Sequence, residues 1–382
     1  MIHSNPDATA PQSEGGADRS TRPIQPDQRQ VLADAAALAG GAPTGSTVGL
    51  RTPPVAAPES ETALVEVLKV LRTPEERFAG LLDYPFQPHY VWVGLGDGSD
   101  TAVRVHYVDE RPRDGAKWSG ETILLLHGNP SWSYLYRHVI PPLVAAGHRC
   151  VALDLVGMGK SDKPTDRFLY TYRHHMDWLT EAVFDRLDLR DVTLVCHDWG
   201  GLLGLRLLAE NPDRFRRVVA SNTSFKTGKE EIPAQAWQYL AQWLQFSQRT
   251  NPLYASQVVD NFTTTELDSA VRAAYDAPYP GDPYQHAVRR FAVSIPLSPH
   301  DEATPEFTAA WEVLTTLQTP FMCLFSDKDH VTGGDHSALS DHIPGAAGQP
   351  HTVITGAHHF LQEDKPAEFA AAVNSFIQQT CQ

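Results

Sequence analysis

A short apolar run, Val192-Thr-Leu-Val195, leads straight into Cys196-His-Asp-Trp-Gly-Gly201 and then into a helical pattern over 202–210. That succession predicts a strand, a tight turn and a helix. It is the setting in which a small-x-nucleophile-x-small sequence holds one side chain at the top of a parallel sheet. The residue presented is Asp198, where serine is commoner. Asp is also a favoured helix N-cap, so capping the following helix is the plain alternative. A carboxylate is a weak nucleophile toward an ester, but it displaces a leaving group from saturated carbon. The alkyl ester so formed can be hydrolysed at its carboxyl carbon by a His-activated water.

An elbow of this kind needs neighbouring strands, and the sequence supplies them. Runs at 90–93 and 103–108 predict a leading antiparallel pair, joined by the turn-rich Gly94-Leu-Gly-Asp-Gly-Ser99. Three β-then-α units follow: 122–126 with a helix after Pro130, 150–153 with a helical stretch over 172–187, and 192–195 with the helix after the elbow. A further strand is expected at 217–220. Apolar strands alternating with helices imply a mostly parallel sheet covered on both faces. From 224 to 298 strand signals stop and the chain turns helical and aromatic. A helix (305–317), two strands (321–325 and 352–354) and a closing helix (367–377) then complete the pattern.

A helical insertion after the sixth strand is expected to lie as a cap over the carboxyl ends of the strands, where open α/β sheets keep their sites. The organisation read from the sequence is therefore an extension (1–63), a first part of the core (64–223), a cap (224–298) and a second part of the core (299–382). The extension is rich in Ala, Pro, Gly, Ser and Asp with almost no aromatics, and is expected to be disordered and to take no part in catalysis. Val31, Leu32, Ala35 and Leu38 fall at helical spacing, so a short helix over 27–38 is compatible with it.

Composition narrows the function. Of the 382 residues 42% are hydrophobic, enough for a substantial core, while 46 acidic against 31 basic residues give a net charge of −15. With no long basic run, that balance argues against nucleic-acid binding. Cys150, Cys196, Cys323 and Cys381 are scattered and form no CxxC pair, which suits buried thiols in a reducing compartment. No stretch approaches the roughly 18 apolar residues of a membrane span, and the N-terminus lacks the charged-then-apolar pattern of a secretion signal. A cytoplasmic protein is expected, without a membrane partner.

An Asp nucleophile needs a base, an orienting acid and donors for developing charge. Seventeen histidines make position decisive. Gly356-Ala-His-His-Phe360 follows the last strand, where chain order puts the base, and His359 is preferred over His358. The acid could follow either of two strands. Asn222, after the strand at 217–220, carries no charge. After 321–325 comes Ser326-Asp-Lys-Asp-His330, in which Asp329 fits the order nucleophile, acid, histidine and Asp327 reads as a turn residue. His127-Gly-Asn-Pro130 ends the first β-then-α unit, with His127 read as structural. The backbone N–H groups of Asn129 and Trp199 would together form an oxyanion hole. Gly157-Met-Gly159 lacks the third glycine of a dinucleotide site, so neither cofactor nor metal is expected.

Four segments now carry a resemblance. His127-Gly-Asn-Pro-Ser-Trp-Ser-Tyr-Leu-Tyr-Arg137, Asp154-Leu-Val-Gly-Met-Gly-Lys-Ser-Asp-Lys-Pro164, His197-Asp-Trp-Gly-Gly201 and Ala357-His-His-Phe-Leu-Gln-Glu363 resemble haloalkane dehalogenases of the α/β-hydrolase fold. The likeness spans roughly 71–376. Tyr275-Asp-Ala-Pro-Tyr-Pro280 and Tyr284-Gln-His-Ala-Val-Arg-Arg-Phe291 are similar to the subfamily whose acid follows the seventh strand. The resemblance implies an eight-stranded sheet and hydrolysis of a haloalkane through an ester on Asp198, with halide and alcohol as products. It further implies that two indole N–H groups hold the halide: Trp199, and a cap tryptophan for which Trp237 is the better match and Trp243 the alternative. Asn129 stands where this subfamily often has Glu; Asn is the usage of another subfamily, where its side-chain amide also contacts halide, which makes Asn129 a candidate third donor and leaves open which pair dominates. Epoxide hydrolases share the DWGG element, and β-lactone-cleaving relatives share both motifs. A non-catalytic ligand-binding protein on the same scaffold would be expected to lack a triad member. The oligomeric state is open.

Overall fold

Strands form where β-branched and long aliphatic residues run together. The computed structural model describes residues 69–113, 118–232 and 234–380. The extension expected over 1–63, with its possible helix at 27–38, lies outside the described residues. The strands are β1 (His89–Gly94), β2 (Ala102–Glu110), β3 (Thr122–Leu126), β4 (Arg149–Leu153), β5 (Val192–His197), β6 (Phe215–Ser221), β7 (Phe321–Ser326) and β8 (Thr352–Ile354). They form one sheet in the order β8-β7-β6-β5-β3-β4-β2-β1. β1 and β2 pair antiparallel, as β2 does with β4, and every other pairing is parallel. A separate two-residue antiparallel ribbon joins Val70–Leu71 to Lys163–Pro164.

The central strands are buried along almost their whole length, as a sheet covered on both faces requires. Register does the functional work. Leu126 at the end of β3 is level with Cys196 in β5, and His197 is level with Ser221 in β6. The loops leaving β3, β5 and β6 therefore start side by side. Because β3 lies between β4 and β5, the chain leaves the sheet in opposite directions there, which opens a crevice beyond the carboxyl ends.

Most helices match their patterns. α1 is Ile140–Ala145, α2 is Tyr172–Thr180 and runs on as a π-helical turn (Glu181–Arg186), and α3 is Trp199–Glu210. The helix expected directly after Pro130 is instead a 3-10 turn, Ser133–Tyr136, with α1 beginning only at Ile140. Pro141 and Pro142 have no N–H to bond back into a helix already running and stand in the first turn of α1, while the loop before them gives N–H groups to side chains, Asn129 to Asp198 Oδ1 (2.7 Å) and Ser133 to Asp154 Oδ1 (2.8 Å). Between β6 and β7 lie α4 (Ala234–Arg249), α5 (Ala255–Asn261), α6 (Ser269–Asp276), α7 (His286–Val293) and α8 (Thr304–Leu314). α9 (His336–His342), α10 (Leu361–Asp364) and α11 (Pro366–Thr380) complete the chain order.

The inserted helices are tied down by buried polar contacts. Trp132 Nε1–H donates to Ala274 O (3.2 Å), and Asn129 Nδ2–H donates to Val288 O (3.1 Å). Glu363 takes Arg137 bidentately and also accepts from the Tyr275 hydroxyl, linking α6 to α10 and to the loop after β3. No helix among the described residues is long and apolar enough to cross a membrane.

Candidate active site

The turn after β5 is strained. Asp198 has φ 51° and ψ −124°, a conformation that side-chain-bearing residues seldom adopt. It stands at the N-cap position of α3, yet its carboxylate makes no capping hydrogen bond. The plain alternative to a chemical role is thereby removed. The main chain is pinned instead: Asp198 N–H donates to Asn222 O (3.1 Å), and Asp198 O accepts from Gly201 N–H (2.8 Å) and Thr223 Oγ1–H (2.8 Å). Two glycines permit the close packing. A Cβ at Gly200 would sit 2.2 Å from Leu126 O, and one at Gly128 would sit 2.2 Å from Asp198 Oδ1.

The two carboxylate oxygens face different partners. Oδ1 accepts from Asn129 N–H (2.7 Å), and the nearby Trp199 N–H favours the charged form of the carboxylate. Oδ2 lies 3.4 Å from His359 Nε2. Burial pushes the Asp198 pKa up, but contact with His359 and its charge outweigh burial and hold the group below its ordinary value.

His359 sits in the loop between β8 and α10. Its Nδ1 lies 3.2 Å from Asp329 Oδ2 and 3.3 Å from Oδ1. Asp329, on the loop after β7, is oriented by Val331 N–H (2.8 Å), Thr332 N–H (3.3 Å) and the Thr332 hydroxyl. Burial raises the Asp329 pKa, but the neighbouring His359 and these donors reverse it and hold the carboxyl well below the usual range. For His359, burial disfavours the imidazolium, while Asp329 on one side and Asp198 on the other raise its pKa to about 10.

His358 faces elsewhere, its ring against Phe262 and His330. Its Nδ1 accepts from His359 N–H (2.6 Å). Asp327 accepts from Gly356 N–H (2.7 Å), bracing the β7 and β8 loops as a turn residue does. His127 is buried, with Nδ1 on Gly128 O (2.9 Å) and Nε2 accepting from Leu155 N–H (3.0 Å), a structural position.

Asp198, Trp199, Asn129 and His359 line one cavity of about 130 Å³ with Leu202, Leu240, Trp243, Val258, Phe262 and Ile295 among its apolar walls. Trp199 is 3% exposed and packs on Phe291, ring centroids 4.4 Å apart. The cap tryptophan expected here, Trp237, does not line the cavity; Trp243 does. Trp237, Ala241 and Leu244 are buried at i, i+4 and i+7, so Trp237 belongs to the packing stripe of α4. Its indole nitrogen is buried without a hydrogen-bond partner among the described residues. The Asn129 amide lines the cavity but has one N–H committed to Val288 O.

Sequence reasoning overlooked two features. Asn222, noted only as lacking charge, is a fully buried hub. Its Nδ2 donates to Ser326 Oγ (2.8 Å), His358 O (3.0 Å) and His359 O (3.0 Å), and its Oδ1 accepts from Ser326 N–H (3.0 Å). The signal available was its place, a small amide directly after a buried strand. The second feature is an ion pair in the cavity wall, Lys226 with Asp335, which no sequence spacing announces.

Comparison with known proteins agrees with this geometry. Residues 121–366 match the family model described as the alpha/beta hydrolase fold. A haloalkane dehalogenase from Psychrobacter cryohalolentis is 47% identical over 310 residues, covering 81% of this chain and 98% of its own. Haloalkane dehalogenase 1 of Mycobacterium tuberculosis is 46% identical over 315 residues, 82% of this chain and all of its own. Among solved structures, the tetrameric haloalkane dehalogenase DpaA from Paraglaciecola agarilytica superposes with a TM-score of 0.71 at 34% identity, covering 81% of this chain and 98% of that one. With its sheet order, its aspartate-bearing elbow and relatives of this identity over most of its length, the chain belongs to the haloalkane dehalogenases, hydrolases of the α/β-hydrolase fold that act on carbon–halide bonds.

Proposed function

We propose that the chain cleaves carbon–halogen bonds in two steps, with Asp198 as nucleophile, His359 as base and Asp329 as orienting acid. In the first step Asp198 Oδ2 forms a bond to the halogen-bearing carbon, and the carbon–halogen bond breaks. The halide leaves with both electrons and is held by the indole N–H groups of Trp199 and Trp243. Indole is a neutral, single donor, so it stabilises the developing anion without pairing permanently with Asp198. The Asn129 amide has one uncommitted N–H on the same wall and is a third donor.

In the second step His359 Nε2 takes a proton from water as its oxygen attacks Cγ of the Asp198 ester. Negative charge collects on Oδ1, the oxygen that already accepts from Asn129 N–H, with the Trp199 N–H as the second donor of the proposed oxyanion hole. Collapse expels the alkoxide, which takes the proton from His359, and Asp198 is regenerated. A haloalkane and water become an alcohol, a halide and a proton.

The observation that carries this reading is the division of labour between the Asp198 oxygens, Oδ1 on the Asn129 N–H and Oδ2 facing His359. It also explains the base. In the resting site His359 is held between two carboxylates and stays protonated. Alkylation abolishes the charge of Asp198, so His359 loses one of the two partners that raise its pKa and becomes competent to accept a proton. Nucleophile use thereby switches on the base.

Residues 224–298 act as the cap on this reading, supplying Leu240, Trp243, Val258, Phe262 and Ile295 over a core made of 64–223 and 299–382. Asp329 after β7, with uncharged Asn222 after β6, supports the subfamily whose acid follows the seventh strand. The acidic surface and three buried free thiols, Cys150, Cys196 and Cys323, support a reducing, cytoplasmic setting. The test is the His359→Phe protein incubated with a bromoalkane. Mass spectrometry should find the alkyl group retained on Asp198; an unmodified mass after prolonged incubation overturns the scheme.

A further inference from the structure

The cavity wall carries one feature that two-step displacement does not use. Lys226 Nζ lies 3.1 Å from Asp335 Oδ1, and both residues line the cavity together with Asp198 and His359. The Lys226 and Asp335 side chains are 25% and 19% exposed. Lys226 lies on the segment between β6 and α4, and Asp335 closes the loop that carries Asp329, with its N–H donating to Thr332 O (2.8 Å). The same cavity is lined mostly by apolar residues, Ile232, Leu297 and Val331 among them, with Ser224 and Thr332 as further polar ones. Burial pushes the Asp335 pKa up, opposed by Lys226.

An ion pair on an apolar wall is a poor way to gain stability. Desolvating both charges offsets most of their attraction, and two aliphatic side chains would line the wall as well. What the pair adds is polarity of a defined kind. An ammonium has three N–H donors and a carboxylate has several lone pairs, so one contact leaves both with capacity to spare. A hydroxyl is the simple group that uses both at once, accepting from Nζ–H and donating to the carboxylate. A carboxylate on the substrate would meet Asp335, and an ammonium would meet Lys226. A plain alkyl chain would leave the pair uncompensated against hydrocarbon.

We propose that Lys226 and Asp335 form a specificity subsite for the hydroxyl group of a haloalkanol, with the halogenated carbon at Asp198 and the hydroxyl at the ion pair elsewhere in the same cavity. This rests on the reading of Asp198 as the nucleophile. The substrate class is an alkyl halide with an alcohol at its far end, and the product is the corresponding diol.

Halide release is the measurement. Terminal bromoalkanols of graded chain length are compared with bromoalkanes of equal length, each as kcat/KM. Wild-type protein should favour the alcohol about tenfold at the best-fitting length, mainly through KM, the scale of one charge-assisted hydrogen bond. In Lys226→Met the ratio should collapse to about one, and Lys226→Arg should keep most of it. Asp335→Asn, close in shape, should lower the ratio severalfold and serves if Lys226→Met does not fold. Turnover of bromoalkanes by the wild type with no preference at any length overturns the subsite, as does a preference surviving in Lys226→Met. Absence of halide from both series instead overturns the Asp198 reading and the subsite with it.

Discussion

The floor and the roof of the cavity are held by different forces. The floor is polar and pinned to the sheet: Asp198, Asn129 and His359 follow the ends of β5, β3 and β8, with Asp329 behind His359 at the end of β7, and each is held by hydrogen bonds to a neighbouring loop or side chain. Adjacent strands stand about 4.8 Å apart, so residues leaving their ends are delivered within reach of one another by the sheet itself. The roof is apolar and rests on helices, with α4 presenting Leu240 and Trp243 to the cavity while Trp237, Ala241 and Leu244 turn inward. The chemistry therefore sits where the backbone dictates position. Selectivity sits where packing chooses which face of a helix looks down.

The most damaging way to probe that contrast is at the floor. Asp198→Ala should abolish halide release, with a loss of at least about ten-thousandfold in kcat, since members of a catalytic unit fail together; circular dichroism should report an intact fold. Any residual turnover near wild type would detach the elbow from the chemistry. Next comes the roof. Trp243→Phe should lower kcat/KM about a hundredfold by deleting one anion donor. Trp237→Phe should leave kcat/KM near wild type and cost about 1 kcal/mol in denaturant-measured stability. The opposite ranking would return Trp237 to the halide site.

The support beneath the floor should show a smaller and more selective effect. Asn222→Ala removes the amide that holds the carbonyls of His358 and His359, while the main-chain contact from Asp198 N–H to Asn222 O survives. Hydrolysis should slow about ten- to a hundredfold through misplacement of His359, with alkylation less affected. Rapid-quench mass spectrometry would then find more ester at steady state. Equal slowing of both steps would reduce Asn222 to a general stabiliser.

The mildest prediction concerns pH. His359 is raised to about 10 between two carboxylates and relaxes below that once Asp198 is esterified. Lowering pH protonates the base in the alkyl-enzyme, so the trapped ester fraction should grow as pH falls. Stability responds in the other direction. A group whose folded pKa exceeds its unfolded value of 6.5 contributes fully below that value, and the contribution is lost as pH rises through about 10. Denaturation midpoints should decline across that window, and less so in His359→Phe.

Legibility in the sequence followed the same division. Strands over 122–126 and 352–354 have the bounds expected of them: the first is a buried apolar run, and the second a short β-branched run at the sheet edge after Gly348 and Pro350. Asp198, Asp329 and His359 were readable because each follows such a strand in a fixed chain order. The turn at Ser133–Tyr136 was not, although Pro141 and Pro142, which stand in the first turn of α1, are a local sign of where that helix begins. Trp237 and Trp243 are six residues apart and so stand about 120° apart around α4. Both have the right chemistry, and nothing local ranks them.

By itself the sequence determined the sheet, the order of Asp198, Asp329 and His359 along it, and the presence of an aspartate at the elbow, because apolar runs, helical periodicity and turn residues act locally. Tertiary structure alone decided which tryptophan meets the cavity, that Asn222 ties Ser326 to the loop of His358 and His359, and that Lys226 meets Asp335 in the cavity lining. Those are contacts between segments distant in the chain, and only the packing of helix faces and strand ends against each other sets them.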